Sequence, residues 1–271
     1  PFFSFSQWTQ LYGGSSTEEG FYAIQTSDGG FVCTGNTSSY GNGSADFWLL
    51  KTDALGNEIW NQTYGGSGWE ECWEVKETND NGFILAGRTS SYGNGSDDVW
   101  IVKTDSLGNQ EWSQTYGGTS PEKASSIYQT SDGGYIVACE TQSYGAGNYD
   151  AWIIKIDANG NQQWSQTFGG GSKDYATFIQ ETNDGNYIVI GSTQSFGSGG
   201  HNAWMIKVDT LGNEIWSQTF GGAGSDERAY YGQQTDDNGY ILIGQTDSYA
   251  TGGQHTDVWL IKTDSLGNQE W

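Results

Sequence analysis

Five acidic residues recur at one place in a repeating sequence: Glu18, Glu70, Glu122, Asp174 and Glu227. Brought together as a ring, such carboxylates would offer oxygen ligands to a hard cation such as Ca²⁺. A second series competes for them. Lys51, Lys103, Lys155, Lys207 and Lys262 are half of the 10 basic residues, and they fall on apolar stretches where an unpaired ammonium is costly. One acid and one lysine per repeat is the expected structural ion pair, with no cofactor. Ca²⁺ on the acid series is the alternative.

Other residues suggest other chemistry. Asp53, Asp105, Asp157, Asp209 and Asp264 each precede a turn, whose amides they are expected to hold. Asp46, Asp98, Asp150 and Asp257 stand two residues before a Trp, but the fourth copy is Asn202, so a charge is not obligatory there. Tyr40, Tyr92, Tyr144, Phe196 and Tyr249 lie in Ser/Gly/Asn loops. A ring beside polar amides suits a sugar, and five weak sites add avidity; packing between repeats is the competing use. Trp69 and Trp73 have no counterparts in other repeats and are the candidates for a unique ligand contact. His201, His255 and Asp257 could form a transition-metal trio, although two solvated histidines is the plainer reading. No nucleophile with its base and no phosphate-binding loop is present. Nor is the pair of non-equivalent acids that a glycosidase needs visible.

The elements that position these residues are written by repetition. Trp48, Trp100, Trp152, Trp204 and Trp259 are followed by Trp60, Trp112, Trp164, Trp216 and Trp271, a step of about 52 residues that implies one supersecondary unit used five times. Each repeat reads as four strands: Gly20–Thr26, a Ser-Asp-Gly-Gly turn, Phe31–Gly35, a long loop, Asp46–Asp53, a Gly-Asn turn, and Glu58–Tyr64. Runs such as Tyr187-Ile-Val-Ile190 are apolar at consecutive positions, which indicates burial on both faces. With no helix signal, neighbouring sheets must supply the cover. The fold class is all-β: a five-bladed β-propeller of four-stranded antiparallel blades. It forms a single domain, 1–271, with repeat units at about 15–66, 67–118, 119–170, 171–222 and 223–271. Residues 5–14 resemble a fourth strand and are expected to close the ring, displacing or splitting the half-strand Gly267–Trp271. Gly20, Cys72, Ala124, Ala176 and Ala229 are small, as a crowded innermost strand requires.

Residues 132–164 carry Asp-Gly-Gly-Tyr-Ile, Ser-Tyr-Gly-x-Gly and Asp-x-Trp-Ile-x-Lys-x-Asp-x-x-Gly-Asn-x-x-Trp. This signature resembles repeats of secreted and cell-surface β-propellers of archaea and bacteria, and its end resembles the pyrroloquinoline-quinone-type propeller repeat. The resemblance covers essentially the whole chain and implies a propeller.

Composition narrows the partners. The net charge of −23 repels nucleic acid and anionic lipid, and no apolar run is long enough for membrane insertion. Cys33, Cys72 and Cys139 form no metal spacing and read as free thiols. Sequons at Asn36, Asn42, Asn61 and Asn94 favour export. The expectation is a non-catalytic extracellular or cell-surface protein that binds a glycan or a protein partner. A structural subunit of a surface layer or filament, self-associating by strand addition, is the alternative. A polysaccharide-active enzyme is third.

Overall fold

The computed structural model describes residues 9–222, 226–249 and 255–271 of the chain. Nineteen strands form five antiparallel sheets among these residues. The first sheet holds β1 Glu18–Gln25, β2 Phe31–Thr37, β3 Asp46–Thr52 and β4 Glu58–Tyr64; the second holds β5 Glu70–Glu77, β6 Phe83–Thr89, β7 Asp98–Thr104 and β8 Gln110–Tyr116. The third holds β9 Glu122–Gln129, β10 Tyr135–Thr141, β11 Asp150–Ile156 and β12 Gln162–Phe168; the fourth holds β13 Asp174–Glu181, β14 Tyr187–Thr193, β15 Asn202–Val208 and β16 Glu214–Phe220. The last sheet has three, β17 Glu227–Gln234, β18 Tyr240–Thr246 and β19 Asp257–Thr263. In each sheet the strands stand side by side in chain order, as short connections require.

Two compact units make up the chain: Pro1–Gly93 with Trp100–Thr115, and Asn94–Val99 with Tyr116–Trp271. In the first unit, Phe47 and Leu49 of β3 share a core with Cys72, Val75, Phe83 and Leu85 of the second sheet, and Phe47 meets the Trp100 ring at 4.7 Å. The second unit repeats the scheme. Ala151 and Ile153 pack with Ala176, Ile179 and Val189, and Ala203 and Met205 with Ala229, Tyr240 and Leu242. Alternate residues of a third strand thus serve the next sheet within each unit, which explains why β3, β11 and β15 are buried at every position. On β19 the equivalent Val258 and Leu260 are 78% and 47% exposed.

The inner strands carry a second device. Register shifts between Cys72 and Glu74, Ala176 and Phe178, and Ala229 and Tyr231 leave Trp73, Thr177 and Tyr230 as bulged extra residues. A bulge re-aims its side chain and kinks the strand. The small residue before it is buried: Cys72, Ala124, Ala176 and Ala229 have almost no exposure.

The expected closing strand, 5–14, is not a strand over its described part, Thr9–Gly14, and 5–8 lie outside the described residues. Tyr12 does donate its hydroxyl to the Gly56 carbonyl, the bond that Tyr64 makes to Gly108 at 2.6 Å and Tyr116 to Gly160 at 2.6 Å. The tail instead takes the edge of β19. Glu270 donates its amide to the Lys262 carbonyl at 2.8 Å, and the Lys262 amide reaches the Trp271 carbonyl at 3.1 Å.

Candidate functional site

The lysine series has a different partner from the one expected. Lys51, Lys103, Lys155, Lys207 and Lys262 pair with Asp28, Asp80, Asp132, Asp184 and Asp237 at 2.8–2.9 Å. These aspartates belong to the hairpin turn between the first two strands of each repeat. There Asp28 also accepts from Thr26 Oγ1 at 2.6 Å and from the Gly30 amide at 2.9 Å. A Cβ on Gly30 would lie 2.5 Å from Lys51 Nζ, so the second glycine of the turn leaves room for the ammonium. Thr26 and Lys51 hydrogen bonds hold the Asp28 carboxyl far below the usual range, and equivalent bonds bring Asp80 and Asp132 down to about 2 despite burial.

The acid series is satisfied without lysine. Glu70 accepts from Thr89 Oγ1 at 2.8 Å, the Ser91 amide at 3.2 Å and the Gly66 amide at 2.9 Å. Glu122 does the same with Thr141, Ser143 and Gly118, as do Asp174 with Thr193, Ser195 and Gly170 and Glu227 with Thr246, Ser248 and Gly222. Glu18 accepts from Thr37 and Gly14. Each acid therefore ties a strand start to the loop ahead of it. No group of three or more His, Cys, Asp or Glu side chains is gathered for a metal among the described residues.

Each buried acid faces a second polar side chain across a glycine. Asp46 Oδ1 and Glu70 Oε2 lie 1.7 and 2.6 Å from the place a Cβ of Gly65 would occupy. The same construction joins Asp98 to Glu122 over Gly117, Asp150 to Asp174 over Gly169, and Asn202 to Glu227 over Gly221. Burial, and then Glu70, push Asp46 up to about 6; burial with Glu122 and Asp97 does the same to Asp98; Asp150 is raised by burial and by Asp174. The Asp53 series holds its turn as expected, accepting from Leu55 and Asn57 amides at 2.8 and 2.9 Å.

The loop aromatics lean on the repeated tryptophans. Tyr40, Tyr92, Tyr144, Phe196 and Tyr249 meet Trp48, Trp100, Trp152, Trp204 and Trp259 at 5.2–6.2 Å between centroids. The Tyr92 and Tyr144 hydroxyls donate to the Gly65 and Gly117 carbonyls, both at 2.8 Å. Each of these residues stays 41–60% exposed.

The residues that break the repeat sit at one register position, directly after the acid series: Glu19, Glu71, Lys123, Tyr175 and Arg228. In the first unit Glu71 pairs with Arg88 at 2.9 Å and accepts from Trp69 Nε1 at 3.0 Å, while the Arg88 guanidinium lies 5.9 Å from the Trp73 ring. Nearby on the same strand, Glu74 pairs with Lys76 at 2.8 Å, and Lys76 donates to Tyr22.

In the second unit Lys123 pairs with Glu140 at 3.1 Å. Tyr175 stacks on His201 at 5.8 Å and meets Tyr149 at 5.9 Å. Asp226 accepts from the His201 amide at 2.9 Å and pairs with Arg228 at 3.4 Å. His201 is 4% exposed and its Nδ1 has no hydrogen-bond partner. It is thus not a solvated histidine, whereas His255 is exposed. Burial, and then Arg228, lower its pKa and keep the ring neutral.

No family model matches this chain. It is 27% identical over 157 residues to the regulatory protein FlaEY of Caulobacter vibrioides, covering 49% of this chain and 16% of that protein. The chain thus matches about a sixth of that relative's length. Among solved structures it is similar to the endo-arabinase of Bacteroides thetaiotaomicron, with a TM-score of 0.47, 10% identity, and coverage of 90% and 92% of the two chains. It is also similar to the endo-1,5-α-L-arabinanase of Thermotoga petrophila, at 0.43 and 11%, covering 90% and 70%, and to a eukaryotic initiation factor, at 0.39 and 8%, covering 93% and 54%.

One expectation is corrected here. A non-catalytic recognition protein was expected, with a polysaccharide-active enzyme third; several of the similar solved structures carry the names of glycan-cleaving enzymes. The lysine-to-strand-acid ion pair is corrected by geometry: the turn aspartates lie within reach of the ammonium, whereas loop hydroxyls and amides already occupy the strand acids. The register position of Glu71, Lys123, Tyr175 and Arg228 was missed, although its signal was present as variation at a fixed place in an otherwise regular repeat.

Proposed function

We propose that the chain acts on a polysaccharide, cleaving it at the unrepeated residues of the second unit. The observation that carries this reading is the cluster of Glu140, Tyr149, Tyr175, His201, Asp226 and Arg228. Glycoside cleavage needs two carboxylates in unlike surroundings. Glu140 is buried beside Lys123, whereas the Asp226 side chain is 41% exposed and is kept ionised by the His201 amide and Arg228. Tyr149 and Tyr175 give flat apolar faces for sugar rings. Burial, and then Glu140, raise the Tyr175 pKa, so its hydroxyl remains a donor. Trp69, Trp73 and the loop aromatics Tyr40, Tyr92, Tyr144, Phe196 and Tyr249 are further sugar contacts in this reading.

The assay is release of reducing ends from arabinan, galactan, xylan and mannan by the purified chain. Activity on at least one is expected. Inertness on all four rejects the proposal.

We infer in addition that the five sheets close into a five-bladed propeller, a single domain over 1–271, working outside the cell. The fivefold repeat supports this, as do the small residues of the inner strands and the open apolar positions Val258 and Leu260 on β19 and Phe21 on β1. The likeness to secreted and cell-surface repeats supports the location.

A further inference from the structure

The geometry points to a hard-cation site between Asp46 and Glu70, repeated between Asp98 and Glu122 and between Asp150 and Asp174, each taking Ca²⁺. Two features of the first pair lead there. Asp46 is 2% exposed, and its Oδ1 has no hydrogen-bond partner, although a buried polar atom almost always has one. That orphan oxygen lies 1.7 Å from where a Gly65 Cβ would stand, with Glu70 Oε2 at 2.6 Å from the same point, so the two carboxylate oxygens crowd together at a place that tolerates only glycine. The copies follow closely. Over Gly117, Asp98 Oδ1 and Glu122 Oε2 lie at 1.9 and 2.6 Å; over Gly169, Asp150 Oδ1 and Asp174 Oδ2 lie at 2.1 and 2.7 Å.

Protein donors leave the sites electrostatically incomplete. The remaining oxygen of Asp46 accepts from the Asn42 amide at 2.7 Å, and Glu70 is held by Thr89, Ser91 and Gly66. All these donors are neutral, and the lysines are engaged by the turn aspartates. Two buried carboxylates held this close with no cation repel one another. Ca²⁺ suits such a donor set because it takes carboxylate, carbonyl and water oxygens in flexible geometry, whereas Mg²⁺ demands a near-ideal octahedron. In a chain of net charge −23, cations bound this way also relieve long-range repulsion.

The fourth copy supplies a natural control. Asn202 replaces the aspartate opposite Glu227, with its Oδ1 at 2.5 Å from the Gly221 point, and its Nδ2 donates to the Phe196 carbonyl at 3.1 Å. The repeat therefore folds with a neutral amide there, so an Asp→Asn change elsewhere leaves the fold intact.

The test is calorimetric titration of the metal-stripped chain with Ca²⁺, extended to about 1 mM, the range of extracellular modules. Sensitised Tb³⁺ emission is read in parallel, because Tyr92 and Tyr144 bond the carbonyls of Gly65 and Gly117. Three Ca²⁺ per chain are expected, one for each Asp-acid pair. Asp46→Asn should remove one, Asn202→Asp should add one, and Mg²⁺ should bind more weakly. Circular dichroism confirms the fold of each variant. An absence of saturable binding, or a stoichiometry that ignores both substitutions, overturns the assignment. An Asp46→Asn variant that melts higher in EDTA with unchanged Ca²⁺ uptake overturns it too, and makes the pair a shared proton.

Discussion

At the scale of single residues, burial decides which member of an ion pair matters. Lys155 is buried, while the Asp132 side chain is 55% exposed. Removing the lysine leaves a carboxylate that water can solvate; removing the aspartate leaves a buried ammonium with no counter-charge. Asp132→Ala should therefore destabilise more than Lys155→Met, by about 1–3 kcal/mol, in urea unfolding. Equal costs, or the reverse order, contradict the pairing.

The acids also set a pH dependence. Asp46 and Asp98 rise to about 6 in the fold, from about 3.9 in the unfolded chain. Between those values the folded state holds more protons, so these groups make stability fall as pH rises from about 4 towards 7. Asp80 and Asp132 are lowered to about 2, so their contribution is present above about 4 and lost as pH falls towards 2. In EDTA the melting temperature should peak between about pH 4 and 6, and Asp46→Asn should flatten the alkaline limb. A monotonic rise to pH 8 contradicts this.

The strands themselves were legible in the sequence. Tyr187-Ile-Val-Ile190 was read as doubly covered, and Tyr187, Ile188, Val189 and Ile190 are all buried. The Asp53-type turn was read correctly because its donors are local, within four residues. What escaped depends on distant partners. The Asp28–Lys51 pair spans 23 residues and one strand neighbour, and sequence spacing could not choose between Asp28 and Glu18 for Lys51. The cluster of Tyr175, His201 and Arg228 joins three strands or their approaches, so no local pattern announces it. The Gly-Gly that follows each fourth strand shows no such role in the sequence, yet its first glycine makes room for two polar side chains. Gly117→Ala would place a methyl 1.9 Å from Asp98 Oδ1 and should cost about 1–3 kcal/mol, as overpacking does. A neutral effect on the melting temperature contradicts that crowding.

For the whole molecule, the repeat predicts closure. A compact chain of this length has a radius of gyration of about 18 Å. Small-angle scattering near that value, with Leu260→Asp raising it or driving association, fits a closed ring. A clearly larger radius in the unmodified chain favours an open array of sheets.

The functional account turns on Glu140. On the best polysaccharide substrate, kcat/KM should fall by about 10²–10⁴ in Glu140→Gln. Glu181→Gln, whose carboxylate accepts from the Ser131 amide and hydroxyl, should leave it unchanged. Equal turnover by the unmodified chain and by Glu140→Gln contradicts the placement of the site.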